Sequence, residues 1–341
     1  MHAARYVGNN TISVGPATVD PPPAGHVQVE VAFTGICGTD LHILHGHMDA
    51  RVTLPAVIGH EMSGRIAAVG QGVEGWAAGD PVSVMPLAWC GACPACAAGH
   101  QHICHHLDFI GIDSPGSLQT RWNVPQEVLV RLPDTLPLDH AALVEPVAVA
   151  VHDVRRADVR PREKAVVVGG GPIGVLIAVA ARHAGAQVLV AEVDQERRAM
   201  VADLGFEVLD PGAGDQDALV EEWTAGAGAD VVFEVSGSAA AVLGATSLAR
   251  VRGRLVIVAI HPQPRPVDLQ RVFWRELTIL GARVYQRQDF ETAVTMLADG
   301  VVPADRLITG TVPLTQVADA FDRLSAGKDM KVLVDCQAVG R

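Results

Sequence analysis

Two short stretches, GICGTDLH (Gly35–His42) and GHE (Gly59–Glu61), place a thiol, an imidazole and carboxylates within about thirty residues. Cys37 supplies a soft metal ligand and His60 a borderline one. Glu61 adds a carboxylate beside the imidazole, and Asp40 lies close enough in sequence to orient the ring. A thiolate, an imidazole and a carboxylate, with room for one more oxygen, form the donor set of a catalytic zinc ion that keeps a position open for water or substrate. Each residue alone also reads as a buried cysteine or a helix-end histidine with no shared chemistry. Their neighbours decide between the two readings.

A second cluster follows at once. Cys90, Cys93, Cys96 and Cys104, four of the six cysteines, fall in one loop spanning about residues 88–106. Two-residue spacings and a fourth cysteine soon after give the ligand count of a closed four-thiolate zinc site, structural because no position stays open. Redox-active thiols are the alternative. A lobe with so few large apolar residues needs a staple, and a metal supplies one. Cys336, in the run KVLVDC, reads as a packed small hydrophobe.

The third motif is Gly169-Gly-Gly171-Pro172-Ile173-Gly174. Glycine patterns of this kind are weak alone, but this one follows a strand (KAVVV) and opens an apolar helix. That setting makes it a dinucleotide fingerprint, with the helix N-terminus facing a pyrophosphate. Glu192 ends the next strand, where a carboxylate accepts ribose hydroxyls and repels a 2′-phosphate; NAD is therefore expected over NADP. Asp194 is a neighbouring alternative for that contact, and Arg197 and Arg198 leave some room for NADP. The strand ends Val235–Ser236 and Ala259–Ile260 are the further expected cofactor contacts.

The elements that must position these residues differ along the chain. To about Arg131, short alternating runs such as HVQVEVAFTGI and MSGRIAAVG, broken by Gly and Pro, predict a compact β-rich, rolled-barrel domain. LDHAALVEPVAVAVHDVRRA has helical spacing with Pro146 inside it, which predicts helix, kink, helix. From Glu163, buried strands alternate with helices of about 12 residues, the pattern of βαβ units and a doubly wound parallel sheet. The fold class is thus α/β, a Rossmann-type cofactor domain joined to a β-rich catalytic domain. At 341 residues two domains are expected. A net charge of −12 argues against nucleic acid or an anionic membrane as partner. With no apolar leader and no spanning run, the chain is expected to be cytoplasmic, where clustered cysteines are thiols rather than disulfides.

In this order, GICGTDLH, GHEMSG, the four-cysteine lobe, LVEPVAVAVH, VVVGGGPIG and EVSG resemble the zinc-dependent medium-chain alcohol dehydrogenases from end to end, in their polyol, butanediol and threonine dehydrogenase branch. The resemblance implies a GroES-like catalytic domain over residues 1–149 and 284–341 and a Rossmann domain over 150–283. It implies that Cys37, His60, Glu61 and Glu145 serve the catalytic zinc. Thr39 would take the substrate proton, His42 would relay it, and Asp40 would hold His60 in its tautomer. An ordinary polar loop is the alternative reading of Thr39 and His42.

The expected reaction is oxidation of a secondary alcohol of a polyol, sugar or vicinal diol to a ketone, by hydride transfer to NAD. L-Threonine 3-dehydrogenase is the alternative within the class. VYQRQDFET looks somewhat like the threonine enzymes and Arg287 could read a carboxylate, but Ala148-Val149 replaces their Gly-Asn. The segment HILHGHMDARVTLP, the expected pocket rim, is polar and suits a hydroxyl-rich substrate. From another class, a catalytically silent scaffold relative is set against the retained Cys37, His60 and carboxylates, as is a zinc-free quinone reductase. The branch is commonly tetrameric, so a homo-oligomer is expected, a tetramer over a dimer.

Overall fold

The structure, a computed structural model, describes residues 1–327 and 329–339. The chain forms two compact units, Met1–Glu145 with Gln286–Arg341, and Pro146–Tyr285. They part at 145/146 and 285/286, where the sequence reading puts 149/150 and 283/284.

The first unit is built on the strand His26–Gly35, in which Val27, Val29 and Val31 are fully buried and Gln28 and Glu30 only partly. This period of two is what a strand with one face in the core requires. Along one edge it pairs antiparallel with Glu61–Val69; along the other with Arg121–Pro125 at its start and Lys331–Asp335 at its end. Pro81–Val84 and Leu129–Arg131 extend the sheet on one side, and Ile308–Pro313 adds a parallel strand on the other. The register sets Gly35 opposite both Glu61 and Leu333. Three segments far apart in sequence therefore meet at one place, and the helix Gly38–Leu44 starts close by in sequence.

The second unit holds six parallel strands. In spatial order they are Glu207–Leu209, Gln187–Ala191, Lys164–Val168, Ala229–Glu234, Ala249–Ile257 and Thr278–Gly281. In chain order this is 3-2-1-4-5-6, the doubly wound arrangement whose direction reverses between the first and fourth strands. Strands covered on both faces read as unbroken apolar runs, which is why Val166, Val167, Val231, Val232 and Phe233 are all fully buried. The helix Pro172–His183 lies against this sheet through Val175 to Ala181, every one of them buried.

One expected element is corrected. The expected helix, kink, helix is two helices, Leu138–Ala141 and Val144–Arg156, but the break falls at residues 142–143 rather than at Pro146. Pro146 lies in the first turn of the longer helix, where the backbone N–H it lacks would have had no helical partner.

Candidate active site

Cys37 immediately precedes the helix Gly38–Leu44 and is its N-cap. Asp40, on the first turn, accepts a hydrogen bond from the Cys37 N–H at 2.9 Å and sets its other oxygen 3.6 Å from His60 Nδ1. One buried carboxylate thus positions the cysteine backbone and faces the imidazole. Phe109 meets the His60 ring edge-on, with centroids 5.3 Å apart. Glu61 fits because residue 35 is glycine: a Cβ there would lie 2.3 Å from the Glu61 carboxylate. Cys37, His60 and Glu61 bring one donor atom each within 4.8 Å of one another.

This set suits a cation. His60 and Glu61 are buried, Cys37 is half-buried, and His60 Nδ1 and Asp40 Oδ1 are enclosed without a hydrogen-bond partner. Burial opposes charging the His60 ring, yet Asp40, Cys37 and Glu145 together outweigh it and hold its pKa well above the ordinary value. Burial likewise raises the Asp40 pKa, against the pull of His60 and the Cys37 N–H. Negative groups converging on a buried imidazole are what a zinc ion neutralises in place of a ring proton. Glu145 is buried and acts on His60 through its charge, but it is not among the three whose donors meet.

The sequence reading missed Lys331. Its ammonium donates to both Glu61 oxygens, at 2.8 and 2.7 Å, and to the Ile36 carbonyl at 3.3 Å. A lysine opening the otherwise apolar run KVLV was the available signal, since buried lysines are rare unless paired. Thr39 and His42 lie on the same short helix, Thr39 half-buried and His42 exposed. The ring of His42 has its Nδ1 3.3 Å from His47 Nδ1, and its pKa is lowered by partial burial and by His47 and His45.

Around Cys90, Cys93, Cys96 and Cys104 the donor atoms again all lie within 4.8 Å. Cys104 Sγ stands 3.5 Å from Cys90 Sγ and 3.7 Å from Cys93 Sγ. These separations are far beyond a disulfide bond of about 2.05 Å. They match the edge of a sulfur tetrahedron, about 3.8 Å for metal–sulfur bonds of about 2.3 Å. Backbone N–H groups of Cys96 and His105 hold the Cys93 thiol down to about 5, while burial pushes Cys96 up to about 12. Four sulfurs so close cannot all ionise without a cation among them, and the lobe fits zinc.

At the glycine turn, Gly169 has φ +111°, a conformation open to glycine. A Cβ on Gly174 would come within 1.9 Å of the Gly169 carbonyl, so the helix must start with glycine there to approach its strand. Gly171 caps the helix Pro172–His183 with Pro172 in its first turn, and nothing lies within 4 Å of where its Cβ would be. Open space before a helix N-terminus is room for a phosphate. Glu192 is buried and already engaged, accepting from the N–H groups of Gly170 at 2.7 Å and Asp194 at 2.9 Å, with Arg197 at 3.6 Å. Val235–Ser236 and Ala259–Ile260 leave neighbouring strands at the same carboxyl edge as Gly169, and Ile260 is 78% exposed. Arg287 is spent elsewhere: its guanidinium donates to the carbonyls of Glu127 and Leu129 and pairs with Glu291, which removes it as a carboxylate reader.

Fold and site together define a zinc-binding, dinucleotide-linked oxidoreductase of two units. Residues 23–134 match the family model described as alcohol dehydrogenase GroES-like domain, and residues 172–299 that of zinc-binding dehydrogenase. The chain is 47% identical over 339 residues, 99% of each chain, to 2-dehydro-3-deoxy-L-galactonate 5-dehydrogenase of Pseudoalteromonas atlantica. It is similar to the crystal structure of 2R,3R-butanediol dehydrogenase from Bacillus subtilis, with TM-score 0.91, 31% identity, and coverage of 98% of this chain and 99% of that one. A zinc-binding dehydrogenase from Sinorhizobium meliloti 1021, bound to NADP, gives TM-score 0.92 at 31% identity, with 98% of each chain covered. The chain belongs to the zinc-dependent medium-chain alcohol dehydrogenase family.

Proposed function

We propose that this chain oxidises a secondary hydroxyl of a polyol, sugar or vicinal diol to a ketone with NAD, and that within this class it favours a sugar acid. The observation that carries the reading is the convergence of Cys37, His60 and Glu61 on one point, in a chain that also has an open glycine turn. The relatives named for a deoxy-galactonate and for butanediol support the substrate class. Cys37, His60 and Glu61, with Glu145 nearby, would hold the catalytic zinc; Cys90, Cys93, Cys96 and Cys104 would hold a structural one. Zinc in the first site supplies Lewis acidity, which brings the pKa of an alcohol toward neutrality. Asp40, facing Nδ1 at 3.6 Å, would favour the His60 proton there and leave Nε2 as the donor for a metal. Thr39 accepts the substrate proton, and His42, exposed one turn further along the helix, passes it outward.

Gly169, Gly171, Pro172, Ile173 and Gly174 would cradle the dinucleotide, with Val235, Ser236, Ala259 and Ile260 at the nicotinamide side. The carboxylate of Glu192 disfavours a 2′-phosphate, and Arg197 beside it offsets only part of that charge, which supports NAD over NADP. The engagement of Arg287 leaves the threonine reading without its carboxylate-binding residue. No helix among the described residues is long and apolar enough to cross a membrane. Free cysteines clustered without disulfides support a cytoplasmic location. Exposed Phe273 and Trp274 beside an edge strand support a homo-oligomer.

The test is a substrate panel under NAD reduction: polyols, sugars, sugar acids, diols and threonine, repeated with NADP. Sugar acids and polyols should be turned over with NAD in preference to NADP. Threonine as the sole substrate, or no turnover of any alcohol by protein holding two zinc ions per chain, overturns the reading.

A further inference from the structure

The carboxylate of Glu234 is completely buried at the end of the strand Ala229–Glu234, and every hydrogen bond it accepts comes from a loop at the carboxyl edge of the sheet. One oxygen accepts from Ser236 Oγ at 2.7 Å and from the Gly237 N–H at 2.9 Å. The other accepts from His261 Nε2 at 3.1 Å. Ser236 Oγ in turn accepts from the Ser238 N–H at 3.1 Å, so the whole turn after this strand hangs from one side chain. The Glu234 backbone carbonyl receives the N–H groups of Val258 and Ala259, at 3.0 and 3.1 Å. His261 therefore closes a ring: it ties the exit of the strand Ala249–Ile257 to the turn that follows its neighbour. The glycine turn abuts the same place, for a Cβ on Gly169 would lie 3.0 Å from the Ser236 nitrogen.

Packing alone does not account for a histidine here. His261 Nδ1 is enclosed without a hydrogen-bond partner, an unfavourable arrangement that a phenyl ring of similar shape would avoid. A buried carboxylate is also a poor way to stabilise a core. What the pair achieves is geometric. It fixes two adjacent exits relative to each other, and immediately beside it Ile260 presents an exposed apolar side chain away from the core. Because a carboxylate only accepts, Nε2 must carry the proton, which fixes the tautomer and the ring plane.

We infer that His261 is a positioning residue for the dinucleotide: its Nε2–H bond to Glu234 holds the Val235–Gly237 turn and the Ala259–Ile260 strand end in the arrangement that receives the nicotinamide end of the cofactor. The inference rests on the reading of those strand ends as cofactor contacts. It concerns residues of the Pro146–Tyr285 unit alone.

The experiment titrates the full-length protein with NADH, followed by fluorescence, and compares wild type with His261→Gln and His261→Phe. Glutamine keeps an N–H donor near the Nε2 position; phenylalanine keeps the shape and loses the donor. His261→Phe should raise the Kd for NADH about tenfold, as expected for one hydrogen bond to a charged group, with His261→Gln within about twofold of wild type. KM for NAD should follow the same order, and the zinc content of all three should be equal. If His261→Phe does not fold, His261→Asn, whose amide lies at the Nδ1 position, takes its place with the same expected loss. A purely structural role would lower the unfolding midpoint without cofactor yet leave NADH affinity unchanged; that result overturns the inference. So does a glutamine variant as impaired as the phenylalanine one. Wild-type protein that binds neither NADH nor NADPH overturns the cofactor reading and this inference together, whereas tight binding by wild type and His261→Phe alike overturns this inference alone.

Discussion

Glu61 is enclosed among Gly35, Cys37 and His60, and the cation that touches it is Lys331, with both carboxylate oxygens in reach of one ammonium. Neither side chain is more than 5% exposed, so solvent does little to screen the pair. Removing one partner of such a pair leaves the other buried and uncompensated, which costs about 3–5 kcal/mol. Lys331→Met should therefore lower the stability measured by equilibrium denaturation by about that amount. In protein with the Cys37–His60–Glu61 site emptied of metal, adding Glu61→Gln to Lys331→Met should recover much of the loss, because the stranded charge is then gone. An unchanged denaturation midpoint in the single variant would show that the pair contributes nothing. The pH dependence has a definite sign. Burial disfavours the Lys331 ammonium, but Glu61 and Cys37 outweigh it and raise its pKa above the ordinary value. Its stabilisation is thus present in full below the unfolded lysine value of about 10.4 and lost as pH climbs through the higher folded one. Wild type should lose stability over that alkaline range, and Lys331→Met should lack this component of the loss.

At the scale of elements, the cysteine lobe has almost no core to hold it. It consists of a four-residue helix, Pro94–Ala97, and a single 3₁₀ turn, Gln101–Ile103. Among the described residues, the partly buried apolar side chains packed against its buried cysteines are Ala95 and Leu107. Helices this short do not persist by themselves in water. A zinc ion held by the four thiolates would then be the lobe's organising contact, and its binding energy would be folding energy. Cys96→Ser should remove one zinc per chain by metal analysis and lower the thermal midpoint by several degrees, an effect on the order of a few kcal/mol. Retention of two zinc ions by that variant would contradict the four-thiolate assignment. This lobe, the glycine turn and the alternating strands were legible in the sequence because each is written within about twenty consecutive residues. Cys37 with His60 was legible for a different reason: the motifs around them, GICGTDLH and GHEMSG, resemble those of a known family. What stayed hidden was long-range. Lys331 lies 270 positions from Glu61, and only the register of three strands meeting at Gly35 brings them together. The donors of Arg287 end on carbonyls about 160 positions away, so no local pattern could show that they were taken. Pro146 was misjudged because spacing gives helical periodicity but not where the first turn begins. The tie between Glu234 and His261 escaped for the same reason as Lys331: Glu234 opens EVSG, but its partner His261 lies 27 positions further on and in no motif.

For the whole molecule, the open question is how many copies assemble, and the six-stranded sheet offers a physical answer. Among the described residues its last strand, Thr278–Gly281, pairs on one side only, with Ala249–Ile257. An edge strand is a template for another chain unless it is charged, bulged or covered. Here its sequence is Thr-Ile-Leu-Gly, and Ile279 is exposed. The helix leading into it, Leu269–Arg275, presents Phe273 at 73% and Trp274 at 72% exposure, their rings in edge contact at 5.2 Å. Adjacent aromatic side chains turned outward beside an unpaired edge are costly to leave in water. A second copy applied through a two-fold axis would cover both features with the same two features of its own, the self-complementary arrangement of an isologous interface. Wild-type protein should accordingly elute from a sizing column, with light-scattering detection, at a multiple of 35.8 kDa. Trp274→Glu combined with Ile279→Lys places charges in the centre of the contact and should lower the measured mass, while the zinc content stays at two per chain. A wild type that runs as a single chain removes the oligomer from the account. A double variant that keeps the wild-type mass moves the interface to another face.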